Sequence, residues 1–201
     1  RRAPLYDKGR EGHYNLISAL HKSVRGSDPD AALYYLCRML DGGEDRLFIA
    51  RRLVRMAVED IGLADPQALV VANAAKEAFD FLGSPEGELA LAQATIYLAT
   101  APKSNGAYVA YKAAMRMAKE RGSLAPPKII LNAPTRLMEE EGYGEGYEYD
   151  HDTPEGFSGQ SYFPDEIRSR PRFYDPPERG FERENRKRLT YWDGIRRKRG
   201  V

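Results

Sequence analysis

The sequence predicts an all-α fold, with a compact array of helices over residues 1–141 and an irregular, tyrosine- and proline-rich extension over 142–201. Three observations predict it. Asp28-Pro29, Asp65-Pro66 and Ser84-Pro85 each set an oxygen-bearing N-cap before a proline at the first helical position, where a missing N–H costs nothing. Gly26, Gly42, Gly62, Gly83, Gly122 and Gly142 each follow an apolar stretch, as expected of residues that accept the left-handed conformation behind a helix. Between these marks, apolar side chains recur at helical spacing.

Helices are expected at 11–25, 29–41, 44–61, 66–82, 85–101, 105–121 and 134–141. Leu33, Leu36, Cys37 and Leu40 give the second one apolar face, and Leu47, Ala50, Val54, Ala57, Val58 and Ile61 do the same for the third. The stretches 66–82 and 85–101 are alanine-rich and apolar on most sides, which predicts central helices packed on several neighbours. The helix starts are irregularly spaced and share no motif, so a solenoid of repeats is not expected.

After Gly142 the character changes. Gly142-Tyr143-Gly144-Glu145-Gly146-Tyr147 is rich in turn formers, and prolines recur at 154, 164, 171, 176 and 177. From Glu139 to Glu166 there are ten acidic residues and no Lys or Arg, whereas Arg168 to Arg199 carries twelve basic residues against five acidic ones. Aromatic residues at 143, 147, 149, 157, 162, 163, 173 and 174 make this tail too aromatic for a disordered linker, so it is expected to pack on the helical body or on a neighbouring subunit.

The formal charge of +1 gives no whole-molecule attraction to nucleic acid, so any such contact must come from local clusters. The single cysteine, Cys37, cannot form an internal disulfide, which suits a reducing, cytoplasmic setting. The start Arg1-Arg2-Ala3-Pro4 has neither an initiator Met nor the apolar core of a signal peptide, and the chain is expected to be cut from something longer.

No catalytic motif is found. A phosphate loop needs G-x-x-x-x-G-K-[ST], and Gly83-Ser84-Pro85-Glu86-Gly87-Glu88 instead puts carboxylates where positive charge is required. Neither G-x-S-x-G nor G-x-G-x-x-G occurs. Glu148-Tyr149-Asp150-His151 has E-x-x-H spacing, but a di-metal site needs a second copy and a helical setting, so no metal ligand is assigned. His13 and His21 lie two turns apart on the first helix, too far for shared ligation, and are expected to be structural.

Two sets of surface residues are candidates for contacts. Arg51, Arg52 and Arg55 form a basic stripe opposite the apolar face of their helix, and Lys22, Arg25 and Lys103 add further points for a nucleic acid or protein partner. Arg196-Arg197-Lys198-Arg199, with Leu189, Tyr191, Trp192 and Ile195, mixes basic and apolar groups suited to anchoring. Tyr34, Tyr35, Tyr97, Tyr108 and Tyr111 lie on or beside apolar faces and are candidates for an oligomer interface.

Particular strings carry more than composition. His13-Tyr14-Asn15-Leu16-Ile17-Ser18-Ala19-Leu20-His21-Lys22-Ser23-Val24-Arg25-Gly26-Ser27-Asp28 is followed by Asp30-Ala31-Ala32-Leu33-Tyr34-Tyr35-Leu36. Glu59-Asp60-Ile61-Gly62, Ala64-Asp65-Pro66, the run from Ile96 to Ala99 with Ala101-Pro102-Lys103-Ser104-Asn105, and Gly142-Tyr143-Gly144 come later. From about Tyr6 to beyond Phe163 the chain resembles the C-terminal half of the replication-associated recombination protein A family. That family is also called maintenance of genome stability protein A, and its eukaryotic relative is the Werner-helicase-interacting protein. The resemblance implies a parent AAA+ ATPase related to clamp loaders and acting at stalled replication forks. It also implies DNA and single-stranded-DNA-binding protein as partners, and ATP and Mg held by an upstream ATPase domain. The present chain would then be a collar-like domain that joins four subunits, with no cofactor of its own. The alternative is a helical module that itself contacts DNA or single-stranded-DNA-binding protein. Asp152 to Gln160 and the residues beyond Tyr174 match the family more loosely, and Val58 stands where a serine is common.

Overall fold

Most of the helix starts and stops marked by cap residues form as expected, with shifts that have local causes. The computed structural model describes residues 10–200, so Arg1-Arg2-Ala3-Pro4 and Tyr6 lie outside the described residues. Among these there are eight α-helices and no strand: α1 Arg10–Arg25, α2 Pro29–Asp41, α3 Arg46–Met56, α4 Gln67–Leu82, α5 Glu88–Thr100, α6 Gly106–Arg121, α7 Arg136–Glu140 and α8 Glu182–Arg199. Asp28 caps α2, its carboxylate accepting from the Ala31 N–H at 2.9 Å, and Asp65 accepts from the Gln67 N–H at 3.0 Å ahead of α4. Ser84-Pro85 does not start α5, which begins three residues beyond the proline at Glu88. The Ser84 hydroxyl instead donates to the Glu88 carboxylate at 2.5 Å. Behind α1 and α2 the left-handed residue is the one after the expected glycine, namely Ser27 at φ 59° and Gly43 at φ 78°.

The described residues form two units, one built from the chain up to Val109 together with Pro176–Arg183, the other from Ala110–Asp175 and Glu184 onward. Within the first unit, α5 packs on α1, α2, α3 and α4. It is apolar on nearly every side, and Leu91, Ala94, Leu98 and Ala99 are buried around it. Its one buried polar side chain, Thr95, donates to the Leu91 carbonyl at 2.8 Å. Leu20, Leu36, Met39, Ile49, Leu53 and Met56 complete the centre.

Three expectations about faces need correction. α4 is not central: its buried residues are the small Ala68, Ala72 and Ala75, spaced to let it approach closely, while Leu69, Val70 and Phe81 face outward. The apolar face of α3 is Ile49, Ala50, Leu53, Met56 and Ala57, and Leu47 and Val58 are exposed. The face is set within α3 itself by Ile49, Leu53 and Met56, and beyond it residues Ala57–Ile61 form a π-helical turn that accommodates an extra residue per turn. Cys37, read as part of the apolar face of α2, is exposed.

The segment 176–183 is fixed to the first unit by backbone contact. The Phe181 N–H donates to the Ala64 carbonyl at 2.8 Å. At the preceding Gly180, with φ 54°, a Cβ would collide with the Ala64 carbonyl and Pro102, so only glycine fits there. Glu182 is fully buried, and its carboxylate lies over Gly106 at the start of α6, where the helix dipole favours negative charge.

Within the second unit the tail contains a helix that the expectation of an irregular extension did not include. Leu189, Trp192 and Ile195 give α8 a half-buried side, and four basic residues in its last turn complement the dipole. Trp192 stacks on Phe157 at 5.8 Å, and the Arg196 guanidinium lies 4.9 Å from the same ring. The charge segregation of the tail is partly answered internally, by Arg199 with Glu148 at 3.2 Å and Arg186 with Asp175 at 3.2 Å.

Leu98→Ala would remove a fully buried side chain from the helix that touches four others. The expected cost is about 2–5 kcal/mol, read as a lowered midpoint in urea denaturation followed by circular dichroism.

Candidate functional site

The π-helical turn behind α3 sets out two consecutive carboxylates, Glu59 and Asp60, and both collect cations. Asp60 is buried, and its Oδ2 lies 2.5 Å from His21 Nε2 on α1. Its Oδ1 accepts from Arg25 Nε at 2.7 Å, one turn further along α1. Glu59 takes Arg55 Nε at 2.7 Å and lies 3.6 Å from the far nitrogen of Arg25. The Asp60 carbonyl accepts from the Ser104 N–H at 2.7 Å, which joins the cluster to the connection between α5 and α6.

Hydrogen bonding assigns the tautomer of His21. Arg52 Nη2 lies 3.1 Å from His21 Nδ1 and can only donate, so Nδ1 is the acceptor and Nε2 carries the proton given to Asp60. The 3.2 Å approach of Arg25 to Nε2 is then a contact between two donors that share one carboxylate. Burial alone pushes the Asp60 carboxyl up, but the hydrogen bonds of His21 and Arg25 and the Arg25 charge outweigh it, and the group is held below the usual carboxylate range. The Lys103 amine goes down because of burial, offset in part by the Asp60 charge. Its Nζ donates to the Ala99 and Ala101 carbonyls at 3.0 and 2.5 Å, closing the end of α5.

These residues border a cleft of about 440 Å³ lined by Arg25, Glu59, Asp60, Lys103, Ser104, Asn105, Tyr108 and Arg179. The Arg55 guanidinium lies 5.6 Å from the Tyr108 ring at its edge. His21, Glu59 and Asp60 each present a potential metal-ligand atom, all within 4.8 Å of one another. Arg25 bonds Asp60 and Arg52 bonds His21, so the three side chains form a hydrogen-bonded ion cluster with guanidinium donors. The cleft presents charged and hydrogen-bonding groups on every side named.

Four of the six basic candidates, Arg25, Arg52, Arg55 and Lys103, are thus brought together around one pair of carboxylates, while Lys22 and Arg51 are exposed. Arg52 leaves the expected surface stripe because the face of α3 is rotated, turning this side chain toward His21. Among the tyrosines, Tyr108 lines the cleft, Tyr35 packs against the core, and Tyr97 donates to Asp65 at 2.5 Å. Tyr34 and Tyr111 are exposed. Sequence reasoning assigned no role to Asp60, Glu59, Ser104, Asn105 or Arg179. The signal for the first four was present, since they sit in the strings that carried the family resemblance. Glu148 and His151 do not converge: Glu148 pairs with Arg199, and His151 packs beside Tyr149 with ring centroids 5.1 Å apart. His13 is tied to Glu44 at 2.5 Å, a structural contact.

The other surface feature of the first unit is apolar. Leu69, Val70, Phe81 and Leu82 of α4 and Leu89 and Ile96 of α5 are exposed, Phe81 to 90% and Leu89 to 75%. Among the described residues, no helix is long and apolar enough to cross a membrane.

Comparison with known proteins adds the following. The family described as MgsA AAA+ ATPase C terminal matches residues 26–193. Replication-associated recombination protein A of Coxiella burnetii is 54% identical over 93% of this chain and 42% of its own length. The protein of the same name from Escherichia coli strain K12 is 50% identical over 90% of this chain and 40% of its own length. ATPase WRNIP1 of Dictyostelium discoideum is 45% identical over 84% of this chain and 19% of its own length. The chain therefore spans about two-fifths of the bacterial relatives.

Asp60→Asn should remove a buried, doubly bonded carboxylate at a cost of about 1–3 kcal/mol near neutral pH, measured by urea denaturation. Because the folded carboxyl is held below its ordinary value, its stabilisation is complete above about pH 4. It is lost as pH falls through the lower folded value, so the difference between variant and parent should shrink there.

Proposed function

The chain belongs to the MgsA AAA+ ATPase C-terminal family, and on that premise we propose that it joins the subunits of a DNA-dependent ATPase into a homotetramer. The observation that carries this reading is the exposed apolar surface of α4 and α5. Scattered apolar side chains on a surface are ordinary, but an almost fully exposed phenylalanine among five further exposed aliphatic residues on two packed helices marks a contact surface. Burying a side chain such as Phe81 against a neighbour contributes about 1.5–3 kcal/mol, and several together can hold subunits. The number four comes from the family resemblance, as does the role in replication-fork maintenance and recombination. ATP and Mg²⁺ belong, on this reading, to the portion of the longer relatives that the chain does not span.

Multi-angle light scattering on the chain, 22.7 kDa as a monomer, should report four subunits. Phe81→Asp and Leu89→Asp, both at exposed positions, should shift the mass toward the monomer, whereas Tyr149→Ser, also at an exposed position, should not. A homogeneous monomer of the parent chain at high concentration would overturn the proposal.

A second reading, direct contact with DNA, rests on the cleft. Lys103 uses two of its three donors on backbone carbonyls, and Arg179 lies in the same lining, so both can meet a phosphate. Log affinity for a duplex oligonucleotide should then fall linearly with log salt, and Arg179→Ala should lower the slope by about one. A salt-insensitive interaction, or none, would remove this reading.

A further inference from the structure

We propose that a tyrosine-lined cavity of the second unit binds an arginine side chain presented by a basic peptide of a partner protein. The cavity, of about 420 Å³, is lined by Tyr143, Tyr147 and Tyr162 together with residues 129–133 and Gly144, and its lining carries no charged side chain. Two of the rings are positioned by a close backbone approach. The Gly144 N–H donates to the Lys128 carbonyl at 2.8 Å. Gly144 has φ 75°, and a Cβ there would lie 3.1 Å from the Leu131 carbonyl oxygen, so the turn that bears Tyr143 and Tyr147 sits tightly against residues 128–131.

The third ring is held from its polar end. The Tyr162 hydroxyl donates to Asp150 Oδ2 at 2.7 Å and lies 3.1 Å from Gln160 Nε2, which donates to it, while the residue is 41% exposed. A ring fixed in this way has little freedom left to lose on binding. The bond to the carboxylate also polarises the phenol, which makes its face a better partner for a cation. Among the described residues no cation pairs with Asp150, whose other oxygen accepts from the Ser158 N–H at 2.7 Å. That N–H first, and the Tyr162 hydroxyl after it, hold the Asp150 carboxyl below the usual range, so its charge is present at neutral pH.

Charge identifies the occupant. From Glu139 to Asp152 there are seven acidic residues and no Lys or Arg. Arg136 and Arg199 pair with two of them, Glu140 and Glu148, each at 3.2 Å. The remaining excess repels a phosphate backbone and attracts a basic chain. Burial, and then the Asp150 charge, raise the Tyr147 hydroxyl, so the negative field extends to the lining itself. The ring set already accepts one cation, since the Lys128 ammonium lies 5.7 Å from the Tyr143 ring. Arginine suits the cavity better than lysine, because its planar guanidinium stacks on tyrosine, forks onto a carboxylate and is more weakly hydrated.

The test is fluorescence anisotropy with the full chain and a labelled, amidated peptide, Gly-Ser-Arg-Gly-Arg-Ser-Gly. The comparison peptide carries citrulline in place of arginine, which keeps the shape and removes the charge. Saturable binding that weakens with salt is expected for the arginine peptide, with a loss of about tenfold or more for the citrulline peptide. Tyr147 is 46% exposed, and Tyr147→Phe should keep the affinity, whereas Tyr147→Leu, which removes the ring face, should lower it about tenfold. Tyr147→Lys sets a competing cation at the same position and should lose at least as much, which keeps the test decisive should the leucine variant fail to fold. No saturable binding of the arginine peptide, equal affinity for the two peptides, or unchanged affinity in both Tyr147→Leu and Tyr147→Lys would each overturn the proposal. A fall in light-scattering mass on adding the peptide would overturn it too, by assigning the cavity to a contact between copies of this chain.

Discussion

The first unit depends on keeping one buried carboxylate ionised. Asp60 sits on an irregular turn, away from water, where an unpartnered carboxylate would be costly enough to protonate or to unfold its surroundings. Two side chains from α1 prevent that, and the Asp60 backbone carbonyl accepts from an N–H of the α5–α6 connection, so one residue fixes three segments of the chain against one another. The requirement is mutual. Arg25 has its main partner in Asp60, and His21 holds its proton on the side facing Asp60 because Arg52 occupies the other ring nitrogen. Such a network contributes little net energy by comparison with apolar packing, but it tolerates few alternative arrangements.

Apolar residues are distributed by a different rule. α4 and α5 have similar compositions, yet α5 is enclosed by four helices while α4 covers it from one side. The alanines at 68, 72 and 75 bring α4 close, and the larger side chains at 69, 70 and 81 are left outward because nothing within the described residues covers them. Along α4 the small residues meet the core and large apolar ones are left on the surface.

Much of this was legible from local chemistry. Asp28-Pro29 and Asp65-Pro66 mark real helix starts, and the apolar character of 85–101 identified the central helix. Ser84-Pro85 misled because the serine hydroxyl found a side-chain carboxylate instead of the helix end. The face of α3 was misjudged because Leu47 and Val54 were counted on it in place of Ile49, Leu53 and Met56, and the error moved Arg52 from the buried side to the surface. Helix α8 was not expected, since its charge density hides the spacing of Leu189, Trp192 and Ile195. The cleft was half visible: cations stand out as potential contacts, whereas Glu59 and Asp60 read as ordinary surface acids until the turn is known.

The return of residues 176–183 to the first unit makes the path of the chain discontinuous. Residues 110–175 lie between two pieces of one body, so a protease cut within them would leave the first unit as two polypeptides held by contacts such as Phe181 with Ala64. Ending the chain at residue 109 would likewise strip away Gly180 and Glu182, exposing the Ala64 carbonyl and the start of α6. The smallest separable piece containing the ion cluster is therefore defined by a fold-back, and a single cut in the sequence does not produce it.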